Sequence, residues 1–405
     1  MILDKNTGGP KAVVVGGGPA GLTAAIALAS GGIDTAVVGP RPGQADNRTT
    51  ALLGGSVTAL ETLGVWDRCA DKAAPLRVMR IVDDTGRLWR APEVKFEADE
   101  IGREAFGYNI ENRHLVAAMD ARAEALPNLR LIDDQVVELV PDESDVAVTL
   151  KGGETLRAPL VIGADGRRSL CRAAAGIALD ERSYPQVALT VSFGHSRPHR
   201  DASTEFHTPT GPFTVVPLTG QRSSLVWVLD PDEAEEIAAL DDDELSTQIE
   251  RASHSILGKV TVEPGRGLFS LRVATARPFG QHRIALVGEA AHVIPPIGAQ
   301  GLNLGLRDAA TIGELAVEAY RHGGDIGAAA LLDRYDRLRR ADVGSRTFAV
   351  DLLNRTLLSD LLPAQGARGL GLYMIDRIGP LRRNVMREGV APRASEPRLM
   401  RGEAL

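Results

Sequence analysis

The sequence predicts an α/β protein whose central parallel sheet is assembled from separated stretches of chain. Three observations predict it. Short apolar, strand-like runs lie near residues 15, 163 and 288, and each leads straight into a glycine-containing turn. The first of these turns opens onto a helix-forming run, the order that a Rossmann-like fold requires. At 405 residues the chain is long enough for two cores, or for one nucleotide-binding domain interrupted by an insertion.

In the first segment, Ala12 to Val15 is a valine-rich run suited to a buried parallel strand. Gly16-x-Gly18-x-x-Gly21 follows at once, with Pro19 and Ala20 inside it. Leu22 to Ser30 is a run of good helix formers, Gly31 and Gly32 stop it, and Thr35 to Val38 is a second strand. In this context Gly16 permits the tight turn, Gly18 lets backbone approach a pyrophosphate, and Gly21 lets helix and sheet pack closely. The helix N-terminus offers N–H groups and a positive dipole to phosphates. The acid expected at the end of the second strand, to bind a ribose hydroxyl, is missing: the residues there are Val38-Gly39-Pro40-Arg41, and Asp34 comes too early. Either backbone or water makes that contact, or Arg41 holds the adenosine half. From Ala12 to Ile33 no residue is charged, but the GGGP interruption and the change from strand-like to helix-like pattern argue against a signal peptide or membrane span.

The second segment, LVIGADGRRSLCR (Leu160–Arg172), joins a buried strand to an Asp165-Gly166 turn with three arginines near it. The plainer reading of that turn is solvated charge. The third, GEAAHVIPPIGAQGLNLGLRD (Gly288–Asp308), follows the strand-like Arg283–Val287. Pro295 and Pro296 cannot lie in a helix interior. Gly298 and Gly301 allow backbone to approach a ligand, and a helix starts near Gly301. Gly305, Ala309 and Gly313 recur every four residues, a small-residue stripe for close packing. His292 has no ligands spaced with it, so packing or hydrogen bonding is favoured over a base or metal role. No metal site is expected.

Composition narrows the function. The chain is 44% apolar and 24% charged, with a net charge of −7, which argues against a nucleic-acid partner. Its two cysteines, Cys69 and Cys171, fit no metal or redox spacing, so a reduced, cytoplasmic setting is expected.

The three segments, in this order and spacing, resemble those of flavoprotein aromatic hydroxylases of the para-hydroxybenzoate hydroxylase fold, and more narrowly the ubiquinone-biosynthesis hydroxylase family. NRTTALL near Arg48, YNIENRHLVAAM around Asn112 and TEFHTPTGPFTVVPL from Thr204 agree. The resemblance implies a Rossmann-like FAD-binding domain in residues 1–180 and 277–350, with a small excursion to the substrate side near 76–100. It also implies a substrate domain built on a β-sheet in 181–276, and a C-terminal helical segment in 351–405. For the site it implies that Gly16, Gly18, Pro19, Ala20 and Gly21 hold the FAD pyrophosphate. Arg48, Asn112 and Arg113 then lie near the flavin, Val136 at the adenine, and Asp165 serves FAD and the reductant. Gly288 and Glu289 lie at the ribityl chain. Glutamate stands there where relatives usually carry aspartate, one methylene shorter, so its contact shifts or uses water. Pro295, Pro296 and Gly298 form the flavin edge of the active site, with no side-chain acid or base assigned. Gly298, Ala299, Gln300, Gly301, Leu302 and Asn303 bring backbone to the ring, and the helix start suits the negative charge of reduced flavin.

The activity so implied is ring hydroxylation of a polyprenylated phenol or quinone precursor through a flavin C4a-hydroperoxide, with O2 as co-substrate. NADH, NADPH or a protein donor is the reductant. The alternatives are the same chemistry on a small soluble phenol, or a non-catalytic FAD-containing assembly protein. In the substrate domain, strand-like runs at Val187–Phe193, Phe213–Pro217 and Ser224–Leu229 precede a helical stretch from Glu233 to about Ser253. Phe206, Phe213 and Trp227 suit ring binding, though sheet-core packing is the plainer reading for each. Seven arginines between Arg377 and Arg401 mark either a solvated tail or a surface for membrane lipid or other quinone-biosynthesis proteins, and so for peripheral membrane association.

Overall fold

The computed structural model describes residues 9–40, 48–86, 92–296, 299–358, 378–390 and 396–405. Arg41 and Gly298 lie outside the described residues, as do Arg377 and Arg393 of the basic tail.

The helices are α1 (Pro19–Ser30), α2 (Gly54–Thr62), α3 (Asn112–Glu124), α4 (Leu170–Ala174), α5 (Pro231–Ala239), α6 (Asp242–Ala252), α7 (Gln300–Arg321), α8 (Ala329–Leu358) and α9 (Gly379–Val390). The three glycine-bearing segments meet in one six-stranded sheet. Its order is Gly280–Gln281, Ile284–Leu286, Leu160–Gly163, Ala12–Val15, Thr35–Val38 and Leu129–Ile132, parallel except at the first pair. Ala12–Val15 is fully flanked, which is why it carries no polar residue: all four side chains are buried. The chain leaves this strand toward one edge and returns on its other side through Leu160–Gly163. The crevice between those two strands is therefore a topological switch point, where such sheets bind ligands.

The uncharged Ala12–Ile33 stretch is thus a strand, a turn and α1, with the strand and the apolar body of the helix inside the core. The small-residue stripe of α7 lies against α1 and the third turn. A Cβ on Gly313 would stand 3.0 Å from the Ala27 Cβ, and one on Gly305 would stand 3.1 Å from the Gly288 Cα. Larger residues there would force the helices apart.

A second sheet, antiparallel for most of its width, runs from His292–Val293 through Gly267–Arg277, Ala178–His195, Arg222–Leu229, Pro212–Leu218 and Ala202–His207 to Val78–Asp83 and Val94–Glu97. The strands Val78–Asp83 and Val94–Glu97 thus belong to this second sheet, and so does the start of the third motif. The expected helical stretch after Glu233 is two helices. Asp241 interrupts it by capping α6, accepting from the Glu244 N–H at 2.8 Å while Glu244 reaches back.

Strand alternation assigns the aromatic residues. Val82, Phe206, Phe213, Trp227 and Leu189 form one row across five strands and pack with α5 and α6 residues Ala234, Leu245 and Ile249. Phe213 meets Phe206 and Trp227 edge-on, with centroids 5.9 and 5.1 Å apart. These rings are therefore core, on the face turned away from the flavin-binding strands.

The tail is only partly a free helical segment. Arg382 pairs with Glu100, and Leu399 and Met400 are buried as the last residues pack back onto α2 and α7. Among the described residues, no helix is long and apolar enough to cross a membrane.

Trp227→Ala is expected to cost about 3–5 kcal/mol of stability, the usual range for emptying a buried aromatic site. It should leave substrate KM within twofold in the fraction that folds. Chemical denaturation and steady-state kinetics together check it.

Candidate active site

The site is built at the carboxyl ends of the central strands. Gly16 has a φ of +117°, and a Cβ on it would stand 2.2 Å from the Ala164 carbonyl oxygen. A Cβ on Gly21 would fall 2.1 Å from the Gly16 oxygen. Both glycines are thus demanded by internal packing. Gly18 differs: nothing lies within 4 Å of its Cβ direction, so its open side faces the crevice. It starts α1 with no side-chain cap and Pro19 at the first helical position. The first-turn N–H groups are left for a ligand. Beside the loop, a depression at the ends of the neighbouring strands is lined by Gly17, Gly39, Leu131 and Ile132, next to Val136.

The second motif closes the other wall. Asp165 follows the strand Leu160–Gly163 and accepts from the Cys171 N–H at 3.1 Å through Oδ2. Its Oδ1 is buried with no hydrogen-bond partner. A buried carboxylate oxygen left so is costly. Together with the open side of Gly18, it fits a cofactor carrying hydroxyl groups at this crevice. Burial, and Asp165 beside it, push the Cys171 thiol well up, so that sulfur is inert packing.

The third motif crosses in front. Gly288 has a φ of +58°. Glu289 is largely exposed and pairs with Arg167 Nε at 3.0 Å. Arg172 donates to the Ala290 oxygen at 3.0 Å and to the Arg167 oxygen at 2.8 Å, so the second and third motifs are bonded together. Ala299, left-handed at φ 56°, precedes α7, whose start carries no side-chain cap. No heavy atom stands within 4 Å of the Gly301 Cβ direction. Pro295 and Pro296 lie in the connection between the strand His292–Val293 and this helix start.

Asn303 is buried, and its amide is spent on backbone. Oδ1 accepts from the Leu53 N–H at 2.8 Å, and Nδ2 donates to the Ala51 and Ala299 oxygens at 2.8 and 2.6 Å. It anchors α7 to the strand Thr49–Leu53, beside Arg48. The Arg48 carbonyl accepts from the Asn112 N–H at 2.8 Å, and Asn112 Oδ1 accepts from Thr50 at 2.7 Å. Arg113 donates to Glu111 at 2.7 Å.

Behind the third motif lies a buried polar chain that sequence reading missed. Asp308 is fully buried. It accepts from the Gly288 N–H at 3.0 Å, from His292 Nε2 at 2.6 Å and from Arg339 Nε at 2.6 Å. Burial works to raise its pKa, yet His292 and Arg339 outweigh it and hold the carboxyl below the usual range. Arg339 also donates to Asp342 at 2.7 Å, Asp342 accepts from Arg346 at 3.1 Å, and Arg346 donates to Gln300 at 2.8 Å. His292 is thus a hydrogen-bonding residue, and no metal-binding cluster occurs among the described residues. The signal was faint: Asp308 closes the third motif, but Arg339 and Asp342 lie on α8 without a motif of their own.

A second missed group ties the second sheet to a short separate sheet made of Thr49–Leu53, Gly107–Glu111 and Ala74–Pro75. Arg222 grips Glu263 at 2.6 Å and Glu111 at 3.3 Å, and Asn109 donates to the Pro217 oxygen at 2.9 Å and to Ser224 at 3.2 Å. Burial alone would raise the Glu111 pKa, but Arg222 and Arg113 bring it below the usual value.

A parallel sheet with a glycine-loop crevice and an orphaned buried acid fits a dinucleotide cofactor, and the chain's family and relatives make it an FAD-dependent monooxygenase. The chain belongs to the family described as FAD binding domain, whose profile matches residues 10–348. Within it, the chain is 37% identical to the ubiquinone hydroxylase UbiL of Rhodospirillum rubrum, covering 97% of this chain and 93% of that one. It is 33% identical to the 3-demethoxyubiquinol 3-hydroxylase of Escherichia coli, covering 92% and 96%. Among solved structures, p-nitrophenol 4-monooxygenase PnpA of Pseudomonas putida matches with TM-score 0.78 and 22% identity over 96% of this chain and 99% of that one. HpxO of Klebsiella pneumoniae, complexed with FAD and uric acid, matches with TM-score 0.72 and 21% identity over 95% and 97%. These two likenesses are of fold.

Asp308→Asn takes away one of the two carboxylates that the buried Arg339 pairs with, the other being Asp342, and stability is expected to fall by about 3 kcal/mol. Because the Asp308 pKa is depressed on folding, its contribution is full above the usual aspartate range near 3.8 and is lost as pH falls through the lower folded value. Thermal unfolding of both proteins from pH 3 to 7 should show the gap between them narrowing toward the acid end.

Proposed function

We propose that this enzyme hydroxylates the aromatic ring of a polyprenylated phenol or quinone precursor in ubiquinone biosynthesis. The observation that carries the reading is the near full-length likeness to UbiL at 37% identity. The substrate implied is a lipophilic aromatic compound, with O2 as co-substrate and NADH, NADPH or a protein donor as reductant. A single GxGxxG in the sequence favours a reductant that binds transiently.

In this reading the residues act by position. Gly16, Gly18, Pro19, Ala20 and Gly21 hold the pyrophosphate, and Asp165 Oδ1 takes a hydroxyl of the cofactor. Arg48, Asn112 and Arg113 border the ring, and Val136 borders the adenine. Gly288 lies at the ribityl chain. Glu289, drawn outward by Arg167, reaches that chain through water. Pro295, Pro296 and Gly298 set the substrate edge. The backbone from Ala299 through Gln300, Gly301 and Leu302 to Asn303 presents N–H groups to the ring's polar end. Bound FAD supplies the activated oxygen; the protein holds the aromatic ring beside it and keeps water out. Arg41 belongs to the same proposal, at the adenosine half. The arginines of the tail offer a surface to anionic lipid or to neighbouring enzymes of the pathway.

Deleting the gene should stop quinone synthesis and accumulate a precursor lacking one hydroxyl, read by mass analysis of extracted lipids. Normal quinone in the deletion strain would sink the reading. In the purified protein, Asp165→Asn should weaken FAD binding about 10- to 100-fold, the worth of one hydrogen bond to a charged group. Fluorescence titration of FAD into the apoprotein measures it.

A further inference from the structure

The substrate-side sheet has two faces, and only one is accounted for by packing. The row Val82, Phe206, Phe213, Trp227 and Leu189 faces α5 and α6. The alternate row, Ile81, Glu205, Thr214, Val226 and Thr190, faces the other way. Ser224 shares that face, one step along its strand from Val226, and it receives Asn109 from the strand Gly107–Glu111 at 3.2 Å. That strand runs into Asn112, beside Thr50 and Arg48. The alternate face is therefore the one turned toward the flavin-binding side.

On it sits a half-buried acid, Glu205. Glu205 Oε1 accepts from His207 Nε2 at 2.8 Å, and Oε2 accepts from Thr214 Oγ1 at 3.3 Å. The His207 side chain is 3% exposed and that of Glu205 18%. The histidine is locked in and the carboxylate keeps an open side. Glu205 has about four acceptor positions, and these contacts use two. Among the described residues no arginine or lysine is paired with Glu205.

We propose that Glu205, held by His207 and Thr214, is the catalytic base that takes the hydroxyl proton of the aromatic substrate. The inference rests on the ring-hydroxylation reading above. A ring hydroxyl donates to Glu205 as the substrate binds. Bound FAD would supply the activated O2: as the ring carbon bonds its outer oxygen, the O–O bond would break and its electron pair would leave on the inner oxygen, while electron density flows in from the ring hydroxyl, whose O–H bond breaks toward Glu205. The electron pair of that bond stays on the ring oxygen, which becomes a carbonyl. The substituted ring carbon then loses its hydrogen as a proton to solvent, the ring regains aromaticity, and Glu205 returns its proton to the ring oxygen. The ring proton given to solvent is matched by one that the departing oxygen takes from solvent, so none is gained or lost by the enzyme. His207 is a positioning residue: it fixes the carboxylate and does not touch the ring.

The test uses the FAD-loaded enzyme and a polyprenyl phenol with a short prenyl tail. Glu205→Gln should keep FAD and still oxidise reductant, while product formation falls about 100-fold, the lower end of general-base contributions. A ring-fluorinated phenol, whose hydroxyl is more acidic, should recover at least tenfold of that loss. His207→Gln should fall about tenfold and be partly rescued by the same analogue. Product formation by Glu205→Gln within threefold of wild type, or a loss that the fluorinated ring leaves untouched, overturns the proposal. Should either variant not fold, the wild-type enzyme decides with a methyl ether in place of the ring hydroxyl. Turnover of the ether at the phenol's rate overturns the proposal, and a loss near 100-fold supports it. A wild-type enzyme that hydroxylates no polyprenyl phenol would instead remove the substrate reading on which the test rests.

Discussion

The carboxylate of Asp308 is the constraint on which the rest of the site depends. Placing it in the core costs several kcal/mol of lost hydration, so it survives there only because Arg339, His292 and the Gly288 N–H surround it. Those contacts reach three separate parts of the chain. Gly288 and His292 begin the third motif, Asp308 belongs to α7, and Arg339 belongs to α8. The chain continues from Arg339 through Asp342 and Arg346 to Gln300. Gln300 is the first residue of α7, so the same network grips both ends of the Gly288–Gln300 connection from behind. Groups fixed before a ligand arrives cost little reorganisation when it binds, which is what flavin chemistry asks of its surroundings.

That division explains what could be read from the sequence. The glycine loop was legible because each glycine answers a local demand: Gly16 and Gly21 are forced by backbone within five residues or by the adjacent strand. The stripe Gly305, Ala309 and Gly313 was legible because a four-residue period has a single geometric meaning on a helix. The partner of the stripe, α1, was not, since period says nothing about what is faced. The network behind the loop stayed hidden for the same reason. Asp308 and Arg339 are 31 residues apart, and charged residues on a helix normally face water. Glu289 shows the limit most directly. Its extra methylene was visible, but its pairing with Arg167 crosses 122 residues and depends on two strands lying side by side.

The second sheet posed a different problem. Alternation separates Phe206 from Glu205 and His207, but it does not say which set meets the cofactor. α5 and α6 cover the aromatic row, which leaves the other set as the one proposed to face the cofactor. The basic tail is similar. Composition registers its arginines, whereas the contacts that absorb some of them, such as Arg382 with Glu100, are tertiary.

The second sheet must also keep a fixed relation to the strands Thr49–Leu53 and Gly107–Glu111 beside Arg48 and Asn112, since a substrate face misplaced by an ångström loses much of the benefit of proximity. Asn109 supplies one tie, between side chain and backbone, and Arg222 supplies another by gripping Glu111 and Glu263 at once. Glu111 immediately precedes α3, whose first residue is Asn112. Any movement of the substrate sheet is therefore felt within one residue of a proposed flavin contact. An enzyme whose cofactor supplies the reacting oxygen needs few chemical groups of its own, and the sequence carries no catalytic motif in the substrate sheet. In the proposed reading, what the protein adds is the rigid relation between the Gly288–Gln300 connection, a pinned sheet and the acid on its other face. That relation is made of contacts between distant residues.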